Sequence, residues 1–381
     1  MTSSMPADSV RTDVIAREAA ARKHRSAGRP SHRRLAILTR LSGAALRVLP
    51  VIPDRIKRVL LGGRRVTVDG NTLDTTLQLM LTAQRSSGVG GLVASSDVEV
   101  ARNQLDKLAG HLDSGVVVRT EERAVPGPAG SIRVRHYLPE GSRQAPLLVF
   151  FHGGGFVIGD LDTHDGLCRL ICRDAGIHVM SVDYRLAPER PAPAGLDDCY
   201  AVYLWCVKHA TELGADPRRI AVGGDSAGGN FAAVIARQTR DNGDPAPVLQ
   251  LLIYPVTDID SDTRSKVLFA DGYFLTKADM DWFRDSYLSG STLPATDPRI
   301  SPLLAEDLSG LPPALVVTAG FDPLRDEGNA YAEALAAAGV VVDHRTYGSV
   351  VHAFANFFPL GGDSAVATAD MVSALRAHLS R

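Results

Sequence analysis

Gly224-Asp225-Ser226-Ala227-Gly228-Gly229-Asn230 stands between the apolar runs Ile220-Ala221-Val222-Gly223 and Phe231-Ala232-Ala233-Val234-Ile235-Ala236. A buried strand turning sharply into a helix accounts for that order. Gly224-x-Ser226-x-Gly228 is a nucleophile-elbow pattern: the serine takes a strained backbone conformation at the tip of the turn, and the glycines keep side chains away from strand and helix. The unpaired N–H groups of the new helix favour negative charge, and that of Ala227 is placed to meet a developing oxyanion. A phosphate-cradling loop is the competing local reading. It is set aside because the stretch has neither a Gly-Lys-Ser/Thr ending nor a Gly-x-Gly-x-x-Gly opening.

Upstream, Leu147-Leu148-Val149-Phe150-Phe151 reads as a buried strand that runs straight into His152-Gly153-Gly154-Gly155-Phe156. Successive glycines let backbone N–H groups approach an acyl oxygen, so the loop is the second half of an oxyanion hole. His152 precedes the serine and reads as a loop-orienting group. Downstream, Pro313 to Gly320 reads as a strand followed by Asp322, and Val340 to Tyr347 as the last strand followed by His352. Ser, Asp and His then follow one another along the chain, each beyond the carboxyl end of a strand. Asp326 and Glu327 compete for the acid role but fall in the next helix. Among the histidines, His344 sits within a strand, His378 in the terminal helix and His164 at a helix entry.

Between these points helices and strands alternate, implying an α/β fold with a mainly parallel sheet covered on both faces. A hairpin of Val116–Thr120 with Ile132–Tyr137, joined through Pro126 to Gly130, starts the sheet. Lys266 to Leu288 reads as a helical insertion walling the acyl pocket, within a segment of about 260–300. Before the sheet, Leu73 to Gln84 and Val98 to Leu112 read as helices forming a lid, the second capped at Ser95-Ser96-Asp97. The expected division is 1–30 as a basic, disordered or weakly helical arm, 31–115 as the lid region and 116–381 as the catalytic domain.

The chain of 381 residues is 45% hydrophobic, enough for a large core, with a net charge of −2. Residues 1 to 65 hold 15 Lys and Arg against 4 Asp and Glu, the remainder 26 against 39. A basic arm ahead of an acidic body argues against nucleic-acid binding. From Arg33 to Leu61, apolar residues alternate with Arg and Lys in the manner of basic amphipathic helices; packing on the protein's own entrance is favoured over peripheral attachment to an anionic membrane. Cys168, Cys172, Cys199 and Cys206 lie among apolar neighbours at helical spacing. They read as core thiols of a reducing, cytoplasmic compartment. No run spans a bilayer and no secretory leader is recognisable.

With these residues assembled, the chain resembles the bacterial hormone-sensitive-lipase family of carboxylesterases, of the α/β-hydrolase fold, from about Val116 onward. The matching stretches are His152-Gly153-Gly154-Gly155, Asp183-Tyr184-Arg185-Leu186-Ala187-Pro188-Glu189, Gly224 to Asn230, Asp322-Pro323-Leu324-Arg325-Asp326-Glu327-Gly328, and His352. The resemblance implies a Ser226–Asp322–His352 triad with oxyanion donors Gly154, Gly155 and Ala227, Gly153 completing the loop. His152, Asp225, Arg185 and Glu189 are expected as structural supports. It further implies hydrolysis of short- to medium-chain carboxylic esters with no metal or cofactor. The alternatives are a membrane-surface lipase and a non-catalytic small-ligand receptor, against which the presence of His352 counts. One departure is Ala353, where the family commonly has glycine.

Overall fold

Among the described residues, a 3-10 turn at Leu49–Val51 precedes α1 (Asp54–Leu60), a small hairpin of β1 (Thr67–Val68) and β2 (Asn71–Thr72), then α2 (Thr75–Ser86) and α3 (Val98–Ala109). The sheet region follows as β3 (Arg119–Gly127), β4 (Gly130–Leu138), β5 (Ala145–Phe151), α4 (Asp165–Ala175), β6 (His178–Val182), α5 (Ala194–His209), β7 (Ala215–Asp225) and α6 (Ala227–Asn242). It closes with β8 (Gln250–Ile253), α7 (Arg264–Leu268), α8 (Lys277–Leu288), β9 (Ala314–Phe321), α9 (Arg325–Ala337), β10 (Val342–Val351) and α10 (Gly362–Leu379). This computed structural model describes residues 46, 48–86, 88–112, 114–141 and 144–380, all within the unit Ala44–Arg381. The expected arm at 1–30 and the first part of the basic stretch from Arg33 lie outside the described residues.

Eight strands pair in the order β10-β9-β8-β7-β5-β6-β4-β3. β5 to β10 run parallel, while β3 and β4 are antiparallel to their neighbours. The mainly parallel sheet expected from the alternation is what forms. Parallel strands carry helices on both faces, so their sequences are apolar throughout. In β5, Leu147, Val149 and Phe151 enter the core on one face while Leu148 and Phe150 enter the core on the other. The four cysteines, on α4 and α5, are free and buried. Burial raises all four thiols above their ordinary pKa.

One element departs from expectation. β3 starts at Arg119 rather than Val116, Val117 being exposed, and runs through Pro126 to pair Gly127 with Gly130. It is the edge strand, so Glu121 and Glu122 are tolerated and Pro126 forfeits no ladder bond on a second side. The helical insertion is built of two helices, α7 and α8. Its second helix starts afresh at a capping box in which Thr276 and Asp279 exchange side-chain-to-backbone hydrogen bonds.

Candidate active site

Ser226 joins β7 to α6 with φ 56° and ψ −116°, a backbone conformation costly for a residue with a side chain. The turn is held by its N–H, which donates to Ile253 O at 2.8 Å. A Cβ at Gly224 or at Gly228 would overlap the carbonyl oxygen of Phe151, so the flanking glycines are required by the approach of β5. The serine hydroxyl thereby stands at the carboxyl end of the sheet.

β7, β8, β9 and β10 are neighbours, and the loops leaving β9 and β10 bring Asp322 and His352 to the serine. The Ser226 hydroxyl donates to His352 Nε2 at 3.0 Å, and His352 Nδ1–H donates to Asp322 Oδ2 at 2.7 Å. The second carboxylate oxygen of Asp322 accepts the Leu324 N–H at 2.8 Å, fixing its rotamer. All three residues are buried. The competing carboxylates point elsewhere. Asp326 accepts from Ser265 N–H at 2.7 Å, and Glu327 is paired with Lys266 at 2.7 Å in the interior. Burial raises the Glu327 pKa, with Lys266 opposing the shift. His344 and His378 are engaged by Asn329 and Asp343.

The glycine loop faces the serine. Gly153 N–H is committed to Asp225 Oδ1 at 2.9 Å, so this glycine shapes the loop without offering a donor to substrate. The N–H groups of Gly154, Gly155 and Ala227 give to no protein acceptor among the described residues. Gly154 and Gly155 have φ +116° and +58°; a Cβ on the first would overlap the backbone of Ile158 and on the second the ring of Phe283. His152 is buried behind the loop, stacked on Tyr184 at 4.2 Å. Burial, aided by the neighbouring His164, lowers its pKa to about 4, so it is a neutral spacer. A cavity of about 420 Å³ opens over Ser226 and His352, its walls including Leu105 and Leu108 of α3, Met280 and Phe283 of α8, and Phe357 and Phe358. That volume suits a small organic ligand.

The profile of the alpha/beta hydrolase fold family matches residues 148–356. The chain belongs to that family. This hydrolase-fold chain is 55% identical over 342 residues to carboxylic ester hydrolase LipN of Mycobacterium tuberculosis, covering 88% of itself and 91% of that relative. It is 36% identical over 310 residues to ethyl acetate hydrolase of Pseudomonas putida, covering 79% and 96%. Among solved structures, ester-hydrolase EH1AB1 from the metagenome of Lake Arreo superposes with a TM-score of 0.75 at 43% identity, covering 80% of this chain and 97% of that one.

Around the hydrolase site, Asp225 ties together parts that sequence reasoning left separate. Its Oδ1 takes the Gly153 N–H and lies 3.3 Å from His164 Nε2, while Oδ2 accepts from Asn356 Nδ2 at 3.1 Å. Burial acts to raise the Asp225 pKa, but His164, the Gly153 N–H and His152 outweigh it and hold the carboxyl below its usual value. His164 and Asn356 were not singled out as site residues because their partners are distant in sequence. Arg185 makes a bidentate pair with Asp198 at 2.7 and 2.8 Å, bracing the turn into α5. Glu189 receives a bidentate Arg102 from α3 at 2.8 Å, and Arg102 also donates to Val157 O at 3.0 Å, just past the glycine loop. Ala353, directly after the histidine, has φ +64°, the conformation for which glycine is favoured.

Proposed function

We propose that the chain is a serine carboxylesterase acting on short- to medium-chain esters through Ser226, His352 and Asp322. The reading is carried by the continuous hydrogen-bonded path from the Ser226 hydroxyl through the imidazole to Asp322, with three backbone donors that have no acceptor among the described residues on the loop and turn at its serine end. Ser226 Oγ attacks the ester carbonyl as its proton passes to His352 Nε2; the oxyanion is received by Gly154, Gly155 and Ala227. Nε2 then gives the proton to the departing alkoxide, and the alcohol leaves an acyl-enzyme. Water repeats the sequence, yielding its proton to Nε2 and its oxygen to the acyl carbon, and Ser226 leaves with the proton. Asp322 holds the tautomer and stabilises the imidazolium.

The short-acyl preference draws support from the modest cavity and from the similarity to a relative named for ethyl acetate. We read the described part of residues 31–115 as the lid, α3 lining the cavity and fastened by Arg102 to Glu189. The buried free thiols support a reducing, cytoplasmic compartment. Turnover of p-nitrophenyl esters of increasing acyl length tests the reading: rates should peak at short or medium chains and vanish in a folded Ser226→Ala variant. Serine-independent turnover would overturn it.

A second reading rests on the surface of the amino-terminal segment. Val51, Val59 and Leu60 are 76%, 77% and 60% exposed and are interleaved with exposed Arg55, Arg58, Arg64 and Arg65. No helix among the described residues is long and apolar enough to cross a membrane. Apolar and cationic side chains on one short stretch suit peripheral docking on an anionic lipid surface. Sedimentation with phosphatidylserine vesicles, lost in high salt, is the expected result; no binding at low salt would remove this reading.

A further inference from the structure

The β1–β2 hairpin stands outside the central sheet, yet it reaches both loops that deliver the acid and the base. On the acid side, Asp69 at its tip accepts from Arg325 Nη2 at 2.9 Å. The same guanidinium donates through Nη1 to Gly320 O at 3.3 Å, two residues before Asp322, and lies 5.4 Å over the Phe269 ring. On the base side, a Cβ at Gly348 would overlap Asn71 Oδ1, so the hairpin rests directly on the irregular stretch of β10 that precedes His352. Just beyond the hairpin, Asp74 N–H donates to Ser349 O at 2.9 Å. The two sides also meet each other, because a Cβ at Gly320 would overlap Gly348 O. Asn71, Gly348 and Gly320 are thus packed in series, with no side chain on either glycine to take up slack.

We propose that the β1–β2 hairpin sets the spacing of the Asp322–His352 pair, with Asp69 and Asn71 as positioning residues. It rests on the triad reading above. The 2.7 Å contact between Asp322 and His352 joins the ends of two different strands. Those ends are registered by the regular β9–β10 ladder only as far as Tyr347–Ala319, the pairing resuming at Val351–Phe321 after the irregularity. Over the gap the hairpin supplies the missing constraint, gripping Gly320 through Arg325 and bearing on Gly348 and Ser349. Both chemical steps pass through the imidazole held by Asp322. Loosening the grip therefore lowers kcat and leaves KM, which is set by the apolar cavity walls of α3 and α8, unchanged.

The experiment compares Asp69→Asn, Asn71→Ala and Arg264→Ala in the full chain by p-nitrophenyl acetate kinetics and by the downfield proton resonance of His352 Nδ1–H. Arg264 is the exposed second partner of Asp69, at 2.6 Å, and unlike Arg325 its guanidinium makes no hydrogen bond to Gly320 among the described residues. Asp69→Asn and Asn71→Ala should each lower kcat by about 10-fold at constant KM and broaden the Nδ1 proton; Asp69→Glu should restore most of the rate, and Arg264→Ala should match the parent. A folded Asp69→Asn or Asn71→Ala with parental kcat and a sharp Nδ1 resonance would overturn the inference, as would an equal loss in Arg264→Ala. Should Asp69→Asn fail to fold, Asn71→Ala, which leaves the ion pair in place, decides alone. A Ser226→Ala variant that keeps its turnover would instead sink the triad reading; an inactive one beside an unaffected hairpin variant would sink only the present one.

Discussion

Replacing Gly155 by alanine tests whether the backbone of the glycine loop does chemistry. The new methyl group would overlap the Phe283 ring, and at φ +58° the residue is in the left-handed region. The conformational part costs alanine about 1–2 kcal/mol of stability. The steric part is met only by movement of the loop or of the Phe283 ring, and movement of the loop swings the Gly155 N–H away from the position proposed for the oxyanion. Loss of one such donor costs about 3–4 kcal/mol of transition-state stabilisation, or about 10²- to 10³-fold in kcat. The structure also separates the two parts. Phe283→Ala in the Gly155→Ala background removes the obstacle, so at least about 10-fold of the lost kcat should return, although the truncation itself costs about 3 kcal/mol of stability. Gly154→Ala should have no such rescue, because its methyl group meets the backbone of Ile158. The assay is kcat on p-nitrophenyl acetate with thermal midpoints measured alongside. Gly155→Ala turning over within about 3-fold of the parent, or a double variant no faster than the single one, would refute the assignment of Gly155 as a donor whose place an added methyl group disturbs against Phe283.

Three further outcomes are expected. Asp322→Asn should lower kcat by about 10³- to 10⁴-fold and Asp326→Asn by about 10-fold at most, and the reverse ranking in steady-state kinetics would reassign the acid. Ala353→Gly should raise stability by about 1 kcal/mol in urea unfolding, since the native φ of +64° penalises alanine more than the freer unfolded glycine chain costs. Burial and neighbouring histidines lower the pKa of His136 to about 3 and of His152 to about 4. Both take up protons more readily when unfolded, so stability is full above about pH 6.5 and falls as acid is added towards those values, by about 2 kcal/mol per histidine at pH 5. Denaturation followed between pH 7 and 5 should show this decline, and His136→Gln should flatten it; an unchanged slope would assign the acid sensitivity to other groups.

The elbow, the glycine loop and the order of Ser226, Asp322 and His352 were legible because each rests on a local rule: an apolar run that ends, a glycine where backbone must come close, a reactive residue just beyond. Asp322 could be separated from Asp326 and Glu327 by placement alone, and the structure puts Asp322 against His352 while the other two bind Ser265 and Lys266. What the sequence withheld depends on pairing at a distance. The extent of β3 is set by its register with β4, not by its own valines. The Asp225–His164–Asn356 cluster joins residues far apart along the chain. Two further features carry a local mark: Asp69-Gly70 is a hairpin-turn pair between Thr67-Val68 and Asn71-Thr72, and Thr276 with Asp279 is a cap inside the 266–288 insertion.

The four enclosed thiols have a practical corollary. With every native cysteine shielded and its thiolate disfavoured, a maleimide dye would find no competing target on the folded surface. A single Val59→Cys substitution would then carry a polarity-sensitive fluorophore on the apolar amino-terminal face, and its emission would report what that face meets in water, beside lipid or against another protein, without any other residue being altered.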